Sequence, residues 1–504
     1  MGWFKDMATK AAIKWLNVQP AQEHQLTIKE TLTHQGQVMC NRLIYRGDPS
    51  EMDQFFKGCA NDLVTKSRFW AAVPSVDLNV RKCHSGLPSI AIDKLSDIVI
   101  SDLDSIEVDE SVSEEWENIR QDNKFDKLIG EAITETLIVG DGAFKITLDT
   151  EITPYPIIEF YGGERVDYIV KRGRLFEVLF YTPYKKGSKT YTLVETFGKG
   201  YITNKLFNDM DREVPLSTLD ETKDLVDVTY SHDFIMAVPM MFFKSPKFDG
   251  RGKGLFESKI DSLDTLDEVI SQWVDAIRMG RAKKYIPETL LPRNPMTGEP
   301  LKPNPFDHQF IGYKGGMAEE SQEQIILQQP AINHQAYVES YANAVDMLLQ
   351  GVISPSTLGI DLKKTDNAEA QREKEKTTLY MRGKIIEVLN EVLPLVVDVT
   401  LKVNETWNLK AVVDHEVSVS FGEYATPSFD SVVETVGKAK SLGIMSIEKA
   451  IDELYGDSMS DEEKFQEVRL IKEQNGMLEA EEPKVHDDAD DYDYESDLDE
   501  QEND

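Results

Sequence analysis

Cysteine is scarce in this chain: Cys40, Cys59 and Cys83 are the only three in 504 residues. They form no CxxC pair and have no His-rich run beside them, although His84 follows Cys83 directly. That excludes a disulfide scaffold and the spacing of a zinc site, and each reads as a buried free thiol. Long hydrophobic runs are also missing, since no apolar stretch reaches the roughly eighteen residues of a bilayer span. The first twenty residues interrupt their apolar positions with Lys5, Asp6, Lys10 and Lys14, unlike a secretion signal, so the chain is expected to stay in the cytoplasm where it is made. Met1-Gly2 opens like a myristoylation signal, but Asp6 stands where that signal has Ser or Thr. Positive charge is in deficit, with 55 Lys and Arg against 90 Asp and Glu for a net charge of −35. An ordinary nucleic-acid binder carries a basic surplus instead.

Catalytic signatures are absent too. A nucleotide-driven motor needs a glycine-rich loop ending in Lys-Ser or Lys-Thr, because backbone N–H groups must cradle the phosphates and a hydroxyl must hold magnesium. The nearest stretch, Gly250-Arg251-Gly252-Lys253-Gly254, has no hydroxyl after its lysine and the wrong spacing. It reads as a flexible lead into the helix that follows. No HExxH, GxSxG or kinase-type set occurs, and the eight histidines are scattered. Asp102, Asp104, Glu107, Asp109 and Glu110 cluster as metal-binding carboxylates do, but ninety carboxylates produce clusters by density alone. The expectation is a chain that is not an enzyme and holds no cofactor or metal.

What is present is globular: 40% hydrophobic and 29% charged residues over a length that supports two to four compact units. Before residue 110 the signals are short helices and loops, broken at Asp48-Pro49-Ser50 and Gly86-Leu87-Pro88. Trp116, Ile119, Phe125, Leu128, Ile129, Ile133 and Leu137 then recur three or four apart, predicting one or two amphipathic helices that stop at Gly140-Asp141-Gly142. Alternating segments follow, FKITLD, PIIEFY, DYIVKRG, LFEVLFY, TYTLVETF and YITNKLF, which predict antiparallel strands over about 140–245.

The period switches again after Ser258, a candidate cap. Ile260, Leu263, Leu266, Val269, Ile270, Trp273, Val274 and Ile277 predict a long helix with Gly280 as its stop. Residues 281–332 are Pro- and Gly-rich and read as an irregular insert. Asn333 is placed to cap a second helix bearing Val338, Tyr341, Ala342, Val345, Leu348 and Leu349. A polar loop at 352–365 leads to a long helix over about 366–403, kinked at Pro394, then a strand at 417–421 and two or three short helices over 428–475. From Glu479 to Asp504 fourteen carboxylates face the single Lys484, so this tail reads as disordered and solvated, serving either solubility or interaction.

Four stretches in this order resemble the portal proteins of tailed bacteriophages: AITETLIVGDGAFKITLD at 132–149, PMMFFKSPKFDGRGKGLFESKIDSLDTLDEVISQWVDAIRMGRAKKYIP at 239–287, TLGIDLKKTDNAEAQREKEKTTLYMRGKI at 357–385, and VSFGEYATPSFDSVVETVGKAKSLGIMSIEKAIDELYGDSMSDEE at 419–463. The resemblance covers most of 110–475 and implies an α+β portal architecture: a homo-oligomeric ring, commonly of about twelve subunits, at one capsid vertex of a virion assembled in the host cytoplasm. Through its channel double-stranded DNA is packaged and ejected. The parts it implies are a β-rich wing at 1–250, a stem helix at 251–280, a clip at 281–332, a second stem helix at 333–351, a tunnel loop at 352–365, a long kinked helix and wing strand at 366–427, and a helical crown at 428–475, leaving the acidic tail at 476–504 without a role. Implied partners are the terminase large subunit, a head-completion or tail connector protein, the major capsid and scaffold proteins, and the DNA itself, with no membrane. The alternative reading is an acidic, non-enzymatic scaffold or adaptor of virion assembly, against which the strand-rich middle argues.

Two basic groups stand out against the acidic background. Arg278, Arg281, Lys283, Lys284 and Arg293 face only Glu288, a local net charge of +4 at the clip. They are candidates for docking an acidic partner surface, or a solvated edge. Lys363 and Lys364 lie in the tunnel loop, where lysine's flexible point charge suits transient phosphate contact, although Asp361 and Asp366 flank them.

Overall fold

The computed structural model describes residues 32–59, 69–72, 80–280, 283–287, 291, 293–299, 310–313, 326–329, 331–360, 368–422, 429–455, 459 and 461–474. Helix α1 (His34–Arg46) starts where Thr33 accepts the Gly36 N–H at 3.2 Å and stops at left-handed Gly47 (φ 69°). Helices α2 (Pro49–Cys59) and α3 (Leu87–Ser101) follow, and strand β1 occupies Leu103–Val108. The periodic run beyond is two helices, α4 (Ser113–Asp122) and α5 (Phe125–Val139), and Gly140 (φ 115°) ends the second.

The expected strand region folds as two sheets. Strands β2 (Asp141–Thr147) and β3 (Ile157–Gly162) pair antiparallel, and β10 (Ala237–Met241) joins the other edge of β2. Six of the seven β2 residues are buried, because α5 packs on this sheet together with the long helix α8 (Ala368–Trp407). The second sheet is a meander of β4 (Val166–Lys171), β5 (Arg174–Lys186), β6 (Lys189–Gly198), β7 (Tyr201–Asn208) and β8 (Glu213–Val214), with β9 (Val228–Thr229) also on β7. Its first three turns are two-residue hairpins, and they place Arg172, Gly173, Gly187 and Gly200 at positive φ as such turns require. Lys145 of β2 ties the sheets together. Its ammonium meets Glu195 at 2.7 Å among the rings of Tyr161, Phe180 and Phe197.

Helix α6 (Ile260–Met279) and helix α7 (His334–Leu349) pack as a hairpin. Asn333 caps α7 as expected, its side chain accepting the Ala336 N–H. Ser258 does not cap α6, because a 3-10 turn at Glu257–Lys259 precedes the helix and absorbs it. The insert between them is also more regular than its composition suggests. Among its described residues β11 (Lys283–Pro287) runs parallel to β12 (Phe310–Tyr313) and antiparallel to β13 (Ile326–Gln328). Short β-prone runs such as KKYIP and FIGY were hidden by the proline-rich chain between them.

Helix α8 runs uninterrupted through Pro394 and ends later than expected, at Trp407. Ile385, Leu389, Val392, Leu393, Val396 and Val397 bury one face of it. Strand β14 (Val417–Phe421) pairs with β1, so the acidic stretch at 102–110 is largely strand, and Asp102 just before it meets the Arg382 guanidinium of α8 at 2.6 Å. Among the described residues no group of His, Cys, Asp and Glu is arranged to hold a metal ion, and no helix is long and apolar enough to cross a membrane. Cys40 is buried as expected, Cys83 is only half-buried, and the Cys59 side chain lies outside the described residues. Contacts divide the chain after Gly422. The second unit contributes helices α9 (Phe429–Ser441), α10 (Ile447–Tyr455) and α11 (Asp461–Gln474), the last two joined by the Lys472–Glu448 pair at 2.5 Å. The acidic tail lies outside the described residues.

Candidate functional site

The α6–α7 hairpin is the element on which the charge pattern converges. Helix α6 is strapped on one side by residues spaced to share a face. Asp264 accepts the Phe69 N–H at 2.7 Å, and Asp267, fully buried, accepts Trp70 Nε1–H at 3.1 Å and the Ser85 N–H at 2.9 Å while meeting His84 Nδ1 at 2.7 Å. Ser271 accepts the Cys83 N–H at 2.8 Å. Lys82 fixes the strap from its far side, donating to Asp53 and to the Trp70 carbonyl, both at 2.8 Å.

The opposite side of α6 meets α7 through aromatics. Trp273 stacks on Tyr337 with 2° between the planes and leans on Tyr341. Lys259 donates to the Met347 carbonyl at 3.1 Å, and at the far end Gly280 admits Ile332 where a Cβ would lie 2.4 Å from its Cδ1. Close approach therefore explains the glycine at this position, since its φ is an ordinary −75°.

The remaining faces are acidic or incompletely covered. Asp261, Glu268 and Asp275 on α6 and Glu339 and Asp346 on α7 all retain solvent exposure. From Ile260 to Ile277 and from His334 to Leu349 there is no Lys or Arg. Beside this acidic surface Ile277 and Val338 are half exposed, and Val269, Ile270, Trp273 and Val274 are only partly covered.

The basic residues singled out from the sequence are spread over different elements. Arg278 stands in the last turn of α6, Lys284 is exposed on β11 opposite Phe310 and Leu327, and Arg293 is exposed in a turn where it donates to the Gly298 carbonyl at 3.3 Å. Lys283 belongs to β11 by its backbone, while its side chain and all of Arg281 lie outside the described residues. Lys363 and Lys364 also lie outside them. The segment expected as a loop from 352 is packed at its start. Val352 and Ile353 are buried, residues 355–358 form a 3-10 turn, and the Ser354 N–H reaches the buried Thr378 hydroxyl of α8 at 3.0 Å.

One cluster was missed from the sequence. The glycine-rich stretch at 250–254 is a lock. Arg251 places two N–H groups on Asp141 at 2.9 and 3.0 Å, donates to the Val166 and Gly163 carbonyls, and lies over the Tyr168 ring. Gly252 donates to Asp141 at 2.6 Å, and a Cβ on it would fall 2.0 Å from the Gly140 carbonyl oxygen. The reading as a flexible lead is therefore corrected: the glycines permit backbone contact. The sequence shows each half, an Asp between glycines at 140–142 and an Arg between glycines at 250–252, but carries no sign that the two pair. A groove of about 710 Å³ is lined by Arg42, Tyr45, Asp97 and Glu135, and Arg42 in its wall bridges Glu135 and Glu164. Burial opposes charge on Arg42, but those carboxylates win and raise its pKa.

No known family profile matches the chain, and no curated protein does. Among solved structures it is similar to a chain in the virion of a native gene transfer agent particle, at 12% identity and a TM-score of 0.37, covering 86% of this chain and 93% of that one. It is also similar to a chain in the neck of a native gene transfer agent particle computed with C12 symmetry, at 12% identity and a TM-score of 0.36, covering 76% and 90%. Likeness at that level carries no function from those particles to this chain.

Proposed function

We propose that this chain is a virion structural protein of the portal type: copies close into a ring at a capsid vertex, α6–α7 hairpins line a central channel, and duplex DNA moves through it. The observation that carries this reading is the acidic hairpin, which has no Lys or Arg from Ile260 to Ile277 or from His334 to Leu349. Phosphate contacts by Lys or Arg release counterions and add affinity, so a channel lined with them would hold the duplex. An acidic wall repels phosphate and keeps the duplex centred and mobile. The half-exposed apolar flank beside it is what neighbouring hairpins would cover. The sequence resemblance to portal proteins supports the same assignment.

In this reading the protein is not an enzyme, and energy for DNA movement comes from a separate packaging motor. Arg278, Lys284 and Arg293, with Arg281 and Lys283, would offer an acidic motor or connector surface its docking charge. Lys363 and Lys364 would touch the duplex transiently. Negative-stain imaging and mass photometry of the purified full chain test the proposal. Rings with a central hole are expected, and a strict monomer at every concentration and salt would overturn it.

A further inference from the structure

The six-stranded meander has two open edges, β4 on one side and β8 with β9 on the other. Both edges expose apolar side chains. Ile169, Val170 and Phe176 stand at or beside the first, and Met210, Val226 and Val228 at or beside the second. Exposed apolar edge strands are templates for pairing with another chain, and proteins commonly guard them with charge.

Here the guards differ in sign. Around β4, residues 165–174 carry Arg165, Lys171, Arg172 and Arg174 against Asp167, a net charge of +3 in a chain of −35. All five are exposed. Around β8 and β9, residues 209–227 carry seven carboxylates against Arg212 and Lys223, a net charge of −5, and these charged residues are exposed too. Two β4 edges therefore repel each other, and so do two β8–β9 edges. A β4 edge and a β8–β9 edge attract.

We propose that the β4 edge of one copy seats against the β8–β9 edge of the next, so that the meander is a head-to-tail contact between copies of this chain. Like-edge repulsion disfavours a two-fold dimer through this sheet, and a heterologous contact that closes on itself gives a ring. The inference deepens the ring reading and rests on it, while naming a contact that the channel hairpin does not require.

Charge reversal tests it with a built-in rescue. One variant carries Arg172→Glu and Arg174→Glu, which takes the β4 window to a net charge of −1, and the other Asp220→Lys, Glu221→Lys and Asp224→Lys, which takes the β8–β9 window to +1. Each alone brings like charges together and is expected to raise the concentration needed for assembly by about tenfold or more at low salt. Mixed in equal amounts, the two variants present opposite charges at every contact, and assembly should return. Circular dichroism checks that each variant is folded. A second route avoids charge: the Val170→Cys, Val228→Cys chain should give a ladder of covalent multimers on mild oxidation that the parent, with its own three cysteines, does not. Variants that assemble like the parent, or a double-cysteine chain that stays monomeric while the parent forms rings, would overturn the contact and leave the ring reading standing. A parent that never assembles would overturn both.

Discussion

A carboxylate that faces no water must find all its partners within the protein. Asp141 does so with three N–H groups, two from Arg251 and one from Gly252. Removing one side of such a pair strands the other charge. Asp141→Ala is therefore expected to cost about 3–5 kcal/mol in chemical denaturation, and a loss under about 1 kcal/mol would show the lock to be dispensable. Glu257 gives the opposite case. Burial raises its pKa above the ordinary 4.5, and Lys247, at 3.7 Å, offsets that only in part. The folded state thus holds this proton more tightly than the unfolded chain. The resulting stability is present below the unfolded pKa and is lost as pH rises through the folded one. Glu257→Gln removes that loss, so it should melt above the parent at neutral pH, with the gap narrowing as pH falls toward 4.5. A variant less stable than the parent at neutral pH would contradict this.

Trp273 closes the α6–α7 hairpin against Tyr337 and Tyr341 while remaining partly exposed itself. Trp273→Ala should lower stability by about 2 kcal/mol, less than a fully buried aromatic costs. Amide exchange should quicken in α6 and α7, and unchanged exchange there would show that the strap through Asp267 holds the hairpin without the aromatics. Such elements differ in how plainly the sequence announces them. The two helices were legible because Leu263, Leu266 and Ile270, and Val345, Leu348 and Leu349, repeat at helical spacing, and the meander because its turns demand glycine. Strand β1 was not, since its partner β14 lies more than three hundred residues away and local periodicity carries no trace of that pairing. The lock at Asp141 and Arg251 was hidden for the same reason. Each half is an ordinary glycine turn until the fold brings them together.

At the scale of the whole chain, charge is sorted rather than spread. A net −35 leaves room for basic residues at the β4 edge and in the run from Arg278 to Arg293, while the hairpin between Ile260 and Ile277 holds none. If the hairpin lines a conduit, its carboxylates act through repulsion, which reaches about 8 Å at physiological salt and fades as salt rises. That makes the wall testable apart from assembly. Glu268→Lys with Asp275→Lys places cations at two partly exposed positions of α6 while leaving Asp264 and Asp267, which hold the strap, unchanged. Rings should form as in the parent, but particles built with the variant should package DNA more slowly. The defect should shrink as salt is raised, because the counterion release that drives each new ammonium contact with phosphate gains less in saltier solution. The neutral pair Glu268→Gln and Asp275→Asn should fall between the two. Packaging at the parental rate by the lysine variant at low salt would show that these carboxylates do not face the DNA, and the channel lining would then have to be sought on another face of the hairpin.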